Sequence, residues 1–293
     1  MIVVTTPTGQ IGSALVERLL TEGEPVRVVA RDAARLDPVV RERAEVIEGS
    51  HGDAAVLDKA LPGADALFWL VPPNPAAPST RGHYLSFARA AAAAVSRHRV
   101  GHLVGVSSAG HGWTAPAGVL SAAFAMDEHL ATSGAAYRAL SLPFYMENLL
   151  GQLDAIRRQQ AFYLTCAGDE PLAMIATQDV ADAAAGLLTD RSWSGQAYVP
   201  LFGPDRLTPD GMAEIIGQEL GTPVAYRRTA MEEYAATLRS RGVGDRMVQD
   251  LTEMFAAQDD GIYEKDWATA TIGATDFRTW CRRVLKPAVE QAG

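Results

Sequence analysis

The sequence predicts an α/β protein built on a Rossmann-type, doubly wound parallel sheet, with a smaller mixed α/β region towards the C-terminus. Three observations carry this prediction. Apolar strand-like runs alternate with amphipathic helical stretches, glycines close the first strand-to-helix connection, and the predicted strands are almost entirely apolar. Strands that are apolar on both faces are typical of parallel sheets covered by helices on both sides.

The elements of the first half follow from hydrophobic periodicity and from turn residues. Gly23 stops the first helix, and Pro72 stops the fourth strand. The predicted strands are residues 2–5, 26–30, 45–48, 66–71, 102–107 and 136–142, and the predicted helices are residues 10–22, 53–60, 84–97 and 126–132. Ligands of such sheets bind beyond the carboxyl ends of the strands, so Val71, Pro72 and Ser107 are expected at a ligand-binding edge.

The second half is less regular and richer in helix. Thr208 and Pro209 indicate a helix start, with Thr as the cap and Pro in the first turn, and Gly221 indicates its end. Thr177 is expected to cap the helix before it. The other predicted elements are helices at residues 146–160, 178–188, 231–239, 245–257 and 276–290, and a strand at residues 197–201.

Composition excludes several classes of protein. The net charge of −9 over 293 residues argues against a nucleic-acid partner, and no apolar stretch approaches the length of a membrane span. No leader peptide is visible, so a cytoplasmic protein is expected. Cys166 and Cys281 are interpreted as buried apolar residues rather than a disulfide or a nucleophile. Asp127, Glu128 and His129 are adjacent on one helix and do not converge on one ion, so no metal is expected.

The connection after the first strand is the most informative segment of the chain. It contains Gly9 and Gly12 and opens an amphipathic helix, which favours a diphosphate held by backbone N–H groups over a plain tight turn. Thr6 stands where such turns have their first glycine, and a β-branched residue disfavours a positive φ, so the turn is expected to differ there. A hydroxyl of Thr6 or Thr8 offers another phosphate contact. The predicted phosphate-binding residues are Thr6, Thr8, Gly9, Gln10, Ile11 and Gly12.

A cation follows the second strand, where NAD-specific sites place an acid. Arg31, with Arg35 four residues later, suits a 2′-phosphate and can stack on adenine. Because Asp32 is adjacent to Arg31, NADH is an alternative cofactor. In another interpretation Arg31 ends the strand in solvent and binds no ligand. The expected cofactor is NADPH. Residues 1–148, rejoined at about 175–201, are expected to bind it, and residues 149–174 and 202–293 are expected to bind the substrate.

Four segments resemble the NmrA-like branch of the atypical short-chain dehydrogenases/reductases. They are TTPTGQIG, ADALFWLVPP, HLVGVSSAG and SGAAYRALSLPFYMENLL, and the resemblance extends over nearly the whole chain. The family includes quinone reductases and NADPH-sensing regulators. The resemblance implies that Pro143, Phe144 and Tyr145 lie beside the nicotinamide. The arginine that relatives carry before this proline is replaced here, where the run reads Ser141-Leu142-Pro143.

The chain lacks the Tyr-x-x-x-Lys pair of typical short-chain reductases, since Lys59, Lys265 and Lys286 are its lysines. The lysine that many relatives keep corresponds to about Ala123. Two other groups are candidate proton donors. These are His111, which is otherwise a loop residue, and Tyr145, which is otherwise a packing residue.

Ser107 is the candidate for orienting a substrate carbonyl, and closing the turn is its alternative role. The leading hypothesis is an NADPH-dependent oxidoreductase that reduces a quinone or another conjugated or aromatic carbonyl. The alternatives are a regulator that senses NADP(H) without turnover and a non-redox cyclase or isomerase. The expected partner is a small aromatic or quinonoid molecule, and monomer and homodimer both stay open.

Overall fold

The structure, a computed structural model, describes residues 1–291. The strands are β1 (Ile2–Thr5), β2 (Val26–Ala30), β3 (Glu45–Glu48), β4 (Ala66–Trp69), β5 (His102–Ser108), β6 (Ala136–Leu142), β7 (Phe144–Tyr145), β8 (Ala161–Leu164), β9 (Leu172–Ile175), β10 (Gln196–Phe202), β11 (Arg206–Leu207), β12 (Ala225–Arg228) and β13 (Thr271–Ile272). The helices are α1 (Gln10–Thr21), α2 (Pro38–Arg43), α3 (Ala54–Ala60), α4 (Thr80–His98), α5 (Val119–Leu130), α6 (Leu153–Gln159), α7 (Thr177–Thr189), α8 (Pro209–Leu220), α9 (Met231–Ser240), α10 (Asp245–Asp259), α11 (Glu264–Trp267), α12 (Phe277–Trp280) and α13 (Lys286–Gln291).

The main sheet has eight strands in the order β13-β10-β6-β5-β4-β1-β2-β3, and its neighbours pair in parallel. The chain winds outward from β1 in one direction to β3 and in the other direction through β4 to β6. This reversal opens a crevice at the carboxyl ends of β1 and β4, which is where doubly wound sheets bind ligands. The predicted Rossmann-type fold is confirmed.

Helices cover both faces of this sheet. On one face α1 packs against α7, and Leu15, Leu19 and Val180 are fully buried between them and the strands. On the other face α3, α4 and α5 cover strand residues such as Leu67 and Trp69, both of which are fully buried. Burial on both faces explains why the central strands β1 and β4 are almost entirely apolar.

Two smaller sheets form the C-terminal region. In one sheet β9 pairs in parallel with β7 and antiparallel with β11, and in the other β8 pairs in parallel with β12. Their core contains Met146, Phe162, Met212 and Trp280, which are all buried, and it includes Cys281. Both cysteines are free, and Cys166 is only half-buried, which differs from the expectation that it would be buried.

Several boundaries differ from the predicted ones. The helix predicted to begin at residue 126 begins at Val119, because residues 119–125 contain a single polar residue, Ser121, and so show no clear period. Residues 146–160 form a 3₁₀ helix followed by α6, and the fourth strand ends at Trp69. Thr177 is the first residue of α7 rather than its cap. The sequence does not predict the short strands β7, β8, β9, β11, β12 and β13, which lie in the less regular part of the chain after β6. Within residues 1–291 no helix is long and apolar enough to cross a bilayer.

Candidate functional site

A cleft of about 370 Å³ opens at the carboxyl edge of the main sheet, where the strand order reverses. It brings together most of the residues predicted to bind the cofactor, namely Thr6, Thr8, Gly9, Gln10, Ile11, Gly12, Arg31, Arg35, Pro72 and Tyr145. Sequence reasoning missed other residues of its wall, namely Val29, Ala30, Gly49, His51, Leu70 and Thr177. Most of the residues that line the cleft lie at or just after the carboxyl ends of β1, β2, β3 and β4.

The turn between β1 and α1 adopts a strained conformation at Thr6. Its φ is +52°, a left-handed value that β-branched residues rarely adopt, so the expectation that the turn would avoid this conformation is wrong. The Gly9 N–H closes the turn by donating to the Thr6 carbonyl at 3.1 Å. A Cβ at Gly12 would lie 2.1 Å from that same carbonyl oxygen, so only glycine fits there. The Thr6 hydroxyl is enclosed and has no hydrogen-bond partner among residues 1–291, whereas Thr8 is exposed.

The N-terminus of α1 faces this cleft without a side-chain cap. Gly9 occupies the N-cap position and no acidic residue lies in the first turn. The first backbone N–H groups of a helix have no partner within the helix, and the helix dipole gives them a partial positive charge. Since no carboxylate neutralises that charge, the residues present fit the diphosphate of a dinucleotide.

Two arginines line the cleft at the end of β2. Arg31 and Arg35 are both exposed there. Asp32, which lies between them in the sequence, has a structural role. Its carboxylate accepts a hydrogen bond from the Ala34 N–H at 2.9 Å and caps a short 3₁₀ helix. Local charge at this end of the cleft therefore favours a phosphate over a ribose diol.

Four predicted cofactor residues lie outside the cleft lining, namely Val71, Ser107, Pro143 and Phe144. Val71 is 5% exposed and packs in the core beneath α4, and Pro143 is buried. Phe144 lines a separate cavity with Cys166 and Tyr263. Phe144 and its neighbour Tyr145 line different cavities because successive side chains of a strand point to opposite faces.

Ser107 and His111 belong to a closed hydrogen-bond cluster around Asp127. This carboxylate is fully buried and accepts hydrogen bonds from the Ser107 hydroxyl, from the Tyr137 hydroxyl at 2.6 Å and from His111 Nε2 at 2.8 Å. The His111 ring stacks on the Tyr198 ring with 3.6 Å between their centroids, and its Nδ1 is enclosed without a partner in the described part of the chain. Asp127 is thus a core residue and not part of an exposed charged face. Neither Ser107 nor His111 lines the cleft, so their placement does not support the predicted catalytic roles.

Tyr145 lines the cleft and offers it a phenol. No hydrogen bond joins its hydroxyl to the described part of the chain. Burial raises the pKa of this phenol well above its usual value, and nearby Tyr84, Tyr263 and Glu147 raise it further. Tyr145 is therefore neutral at physiological pH and can donate a hydrogen bond.

Glu147 holds the segment that carries Tyr145. Its carboxylate accepts hydrogen bonds from the Thr177 N–H at the start of α7 and from the Trp280 indole N–H, both at 3.0 Å. Burial raises the pKa of Glu147 above its ordinary value. The two hydrogen bonds tie the cleft wall to α7 and to the C-terminal region. Sequence reasoning did not assign this residue a role, although it lies inside the PFYMENLL segment.

The comparisons with known proteins agree with this geometry. A profile of the family described as NAD(P)H-binding matches residues 7–191, which is more than half of the chain. The chain belongs to this NAD(P)H-binding, NmrA-like family. Its relatives include quinone oxidoreductase 2 of Escherichia coli, which is 28% identical over 263 residues, with 89% of this chain and 87% of the relative covered.

Two further relatives are reductases by name. The NAD(P)H azoreductase of Xenophilus azovorans is 28% identical over 257 residues, covering 87% of this chain and 86% of the relative. The (4-alkanoyl-5-oxo-2,5-dihydrofuran-3-yl)methyl phosphate reductase of Streptomyces griseus is 31% identical over 245 residues, covering 82% and 81%. The solved NADPH complex of the Escherichia coli quinone oxidoreductase has the same fold, with a TM-score of 0.79, 23% identity and coverage of 97% of this chain and 100% of that one.

Proposed function

We propose that this protein is an NADPH-dependent reductase that transfers a hydride to a quinone or to another conjugated aromatic carbonyl. The observation that carries the proposal is one cleft that combines an uncapped helix N-terminus, two arginines and an unpaired phenol. The relatives named as quinone oxidoreductase and azoreductase support the choice of acceptor. Residues 1–148 with about 175–201 would hold the cofactor, and the rest of the chain would hold the acceptor.

Each end of the cleft has a separate task in cofactor binding. The amides at the start of α1 would hold the diphosphate, and Gly9 and Gly12 let the ligand and the turn approach closely. Arg31 and Arg35 would pair with the 2′-phosphate, which favours NADPH over NADH. When bound, the nicotinamide supplies the hydride.

Tyr145 would stabilise the oxygen that gains negative charge as the acceptor is reduced. A phenol whose pKa is raised by burial is a poor proton donor but a good hydrogen-bond donor. Its role is therefore to donate a hydrogen bond to this oxygen, and water delivers the proton. This refines the prediction of a direct proton donor, and it removes the need for a lysine that would acidify the tyrosine.

An acceptor such as a quinone suits a site of this kind. The helix α5 position that corresponds to the missing lysine is Ala123, which is 7% exposed and packs among apolar side chains. Without a cation there, the reaction depends on an acceptor whose reduced oxygen needs little acid catalysis. Quinones meet that requirement because the charge of the reduced ring is delocalised.

The loss of NADPH absorbance, followed with a panel of quinones, an azo compound and simple aldehydes, tests the proposal. We expect oxidation with quinones and none with simple aldehydes, which would need an acid for their more basic oxygen. The missing lysine also favours a second function, a regulator that binds NADP(H) without turnover. Tight NADPH binding with no oxidation by any acceptor would contradict the reductase and support that regulator.

A further inference from the structure

The loop after β3 carries an unassigned imidazole into the cofactor cleft. β3 lies beside β2, with Glu48 paired to Ala30, so the loop follows the sheet edge next to Arg31. His51 and Arg31 line the same cleft, together with Leu70 from the end of β4. This is the end of the cleft at which the arginines would hold the adenosine phosphate.

The tautomer of His51 follows from its one hydrogen bond. Nε2 lies 3.0 Å from the Leu70 carbonyl oxygen. A carbonyl oxygen can only accept, so Nε2 carries the hydrogen in this contact. In a neutral ring the other nitrogen, Nδ1, is then a lone-pair acceptor.

Packing holds the ring in a single orientation. His51 is 7% exposed, and it meets the rings of Trp69 and Phe87 edge-on, with centroids 5.0 and 4.9 Å away. Gly52 makes room for this arrangement, since a Cβ there would lie 2.8 Å from Phe87 Cζ. The direction of Nδ1 is therefore fixed by the fold rather than chosen by the ligand.

Nδ1 of His51 has no partner within the described residues, and it is not enclosed as His111 Nδ1 is. Burial lowers the pKa of His51 to about 4, and the charges of Arg31 and His83 act in the same direction. The ring is therefore neutral at physiological pH. The cleft wall presents an acceptor, and not a second cation, beside the arginines.

We propose that His51 reads the base of the cofactor by accepting a hydrogen bond from the exocyclic amino group of adenine through Nδ1. The site then selects adenine over a purine with a carbonyl oxygen at that position, because two acceptors would face each other. The inference rests on the proposed function in one respect, namely that NADPH binds in this cleft. It adds that His51 determines specificity for the base.

Calorimetric dissociation constants for NADPH and its deamino analogue test this proposal. The analogue carries hypoxanthine, which has a carbonyl oxygen in place of the amino group and a hydrogen on N1, and it is otherwise identical. We expect the wild-type protein to bind the analogue about tenfold more weakly, as expected for a lost hydrogen bond and an unpaired acceptor. His51→Phe should bring the ratio of the two constants close to one, mainly by weakening NADPH.

Two further variants make the result specific. His51→Gln offers an amide that can present either its oxygen or its nitrogen, so it should bind both dinucleotides with similar affinity. His83→Phe is the matched control, because His83 contacts the Pro72 carbonyl at 3.0 Å and does not line the cleft, and it should keep the wild-type ratio.

The outcomes separate this inference from the proposed function. A wild-type ratio near one, or an unchanged ratio in His51→Gln, overturns base reading by His51 while NADPH binding stands. Failure of the wild-type protein to bind NADPH overturns both. The wild-type ratio needs no variant, so a ratio near one overturns the inference even if His51→Phe does not fold.

Discussion

Replacing Gly12 or Gly9 in the turn after β1 by alanine should have different effects, on stability in the first case and on NADPH binding in the second. A Cβ at Gly12 would lie 2.1 Å from the Thr6 carbonyl oxygen, whereas ordinary contacts begin at 3.4 Å. A Cβ at Gly9 would lie 3.5 Å from the same atom, and the Gly9 φ of −86° suits alanine. Gly12→Ala should therefore damage the fold of the turn, while Gly9→Ala should mainly fill space meant for the ligand.

The expected magnitudes follow from these contacts. Overpacking against a rigid backbone costs about 1–3 kcal/mol, and alanine regains about 1 kcal/mol over glycine within a helix. Because the carbonyl of Thr6 cannot rotate away, we expect the upper half of the resulting range, so that Gly12→Ala lowers the free energy of unfolding by roughly 1–2 kcal/mol, or Tm by roughly 2–4 °C. Gly9→Ala loses only an N-cap preference, which is less than about 1 kcal/mol.

Thermal unfolding of the unliganded proteins and calorimetry with NADPH measure the two effects. We expect Gly9→Ala to keep nearly the wild-type Tm and to bind NADPH at least about tenfold more weakly, since a methyl group would occupy the approach of the diphosphate. A Gly12→Ala protein with wild-type Tm would refute the steric argument. A Gly9→Ala protein with wild-type affinity would refute the position of the diphosphate.

Three other predictions concern single side chains. Arg31→Ala should weaken NADPH by about 10- to 100-fold and NADH by much less, as calorimetry would measure; equal losses would defeat the 2′-phosphate assignment. Tyr145→Phe should lower kcat for quinones by roughly tenfold or more with little change in the KM for NADPH, and an unchanged kcat would exclude the hydrogen bond. Folding lowers the His51 pKa from 6.5 to about 4, so the folded state binds this proton less readily than the unfolded state. Stability should fall as the pH drops from 6.5 towards 4, and His51→Phe should flatten this fall in chemical denaturation at several pH values.

The sequence could reveal the phosphate-binding turn because its signal is local. A strand, a pair of glycines and an amphipathic helix follow one another within about twenty residues, and the backbone chemistry depends on that order alone. The conformation of Thr6 could not be foreseen in the same way. Thr6 keeps the positive φ for which such turns use a glycine, and the close approach of Gly12 to its carbonyl oxygen is a contact of the folded turn.

Asp127 shows why charge patterns mislead on helices. Three adjacent charged residues look like a solvated surface, but neighbouring side chains on a helix point about 100° apart, so one of three can face inward. Here Asp127 faces the sheet and is fully buried, while Glu128 is exposed. The partners that satisfy the carboxylate come from β5, β6 and the loop after β5, which only the sheet order brings together.

His51 was missed for a related reason. It belongs to no motif, and its hydrogen-bond partner Leu70 lies 19 residues further along the chain on another strand end. The resemblance to relatives predicts that Phe144 and Tyr145 lie at one site. Strand alternation separates the two side chains, and Tyr145 alone of the pair lines the cleft.

A crystal structure of the protein with NADPH tests the central claim most directly. The account predicts the diphosphate on the backbone amides that begin α1, the 2′-phosphate within hydrogen-bond distance of Arg31, and the nicotinamide beside Tyr145. A dinucleotide bound elsewhere, or one bound here with its 2′-phosphate in solvent and its nicotinamide away from Tyr145, would contradict the account.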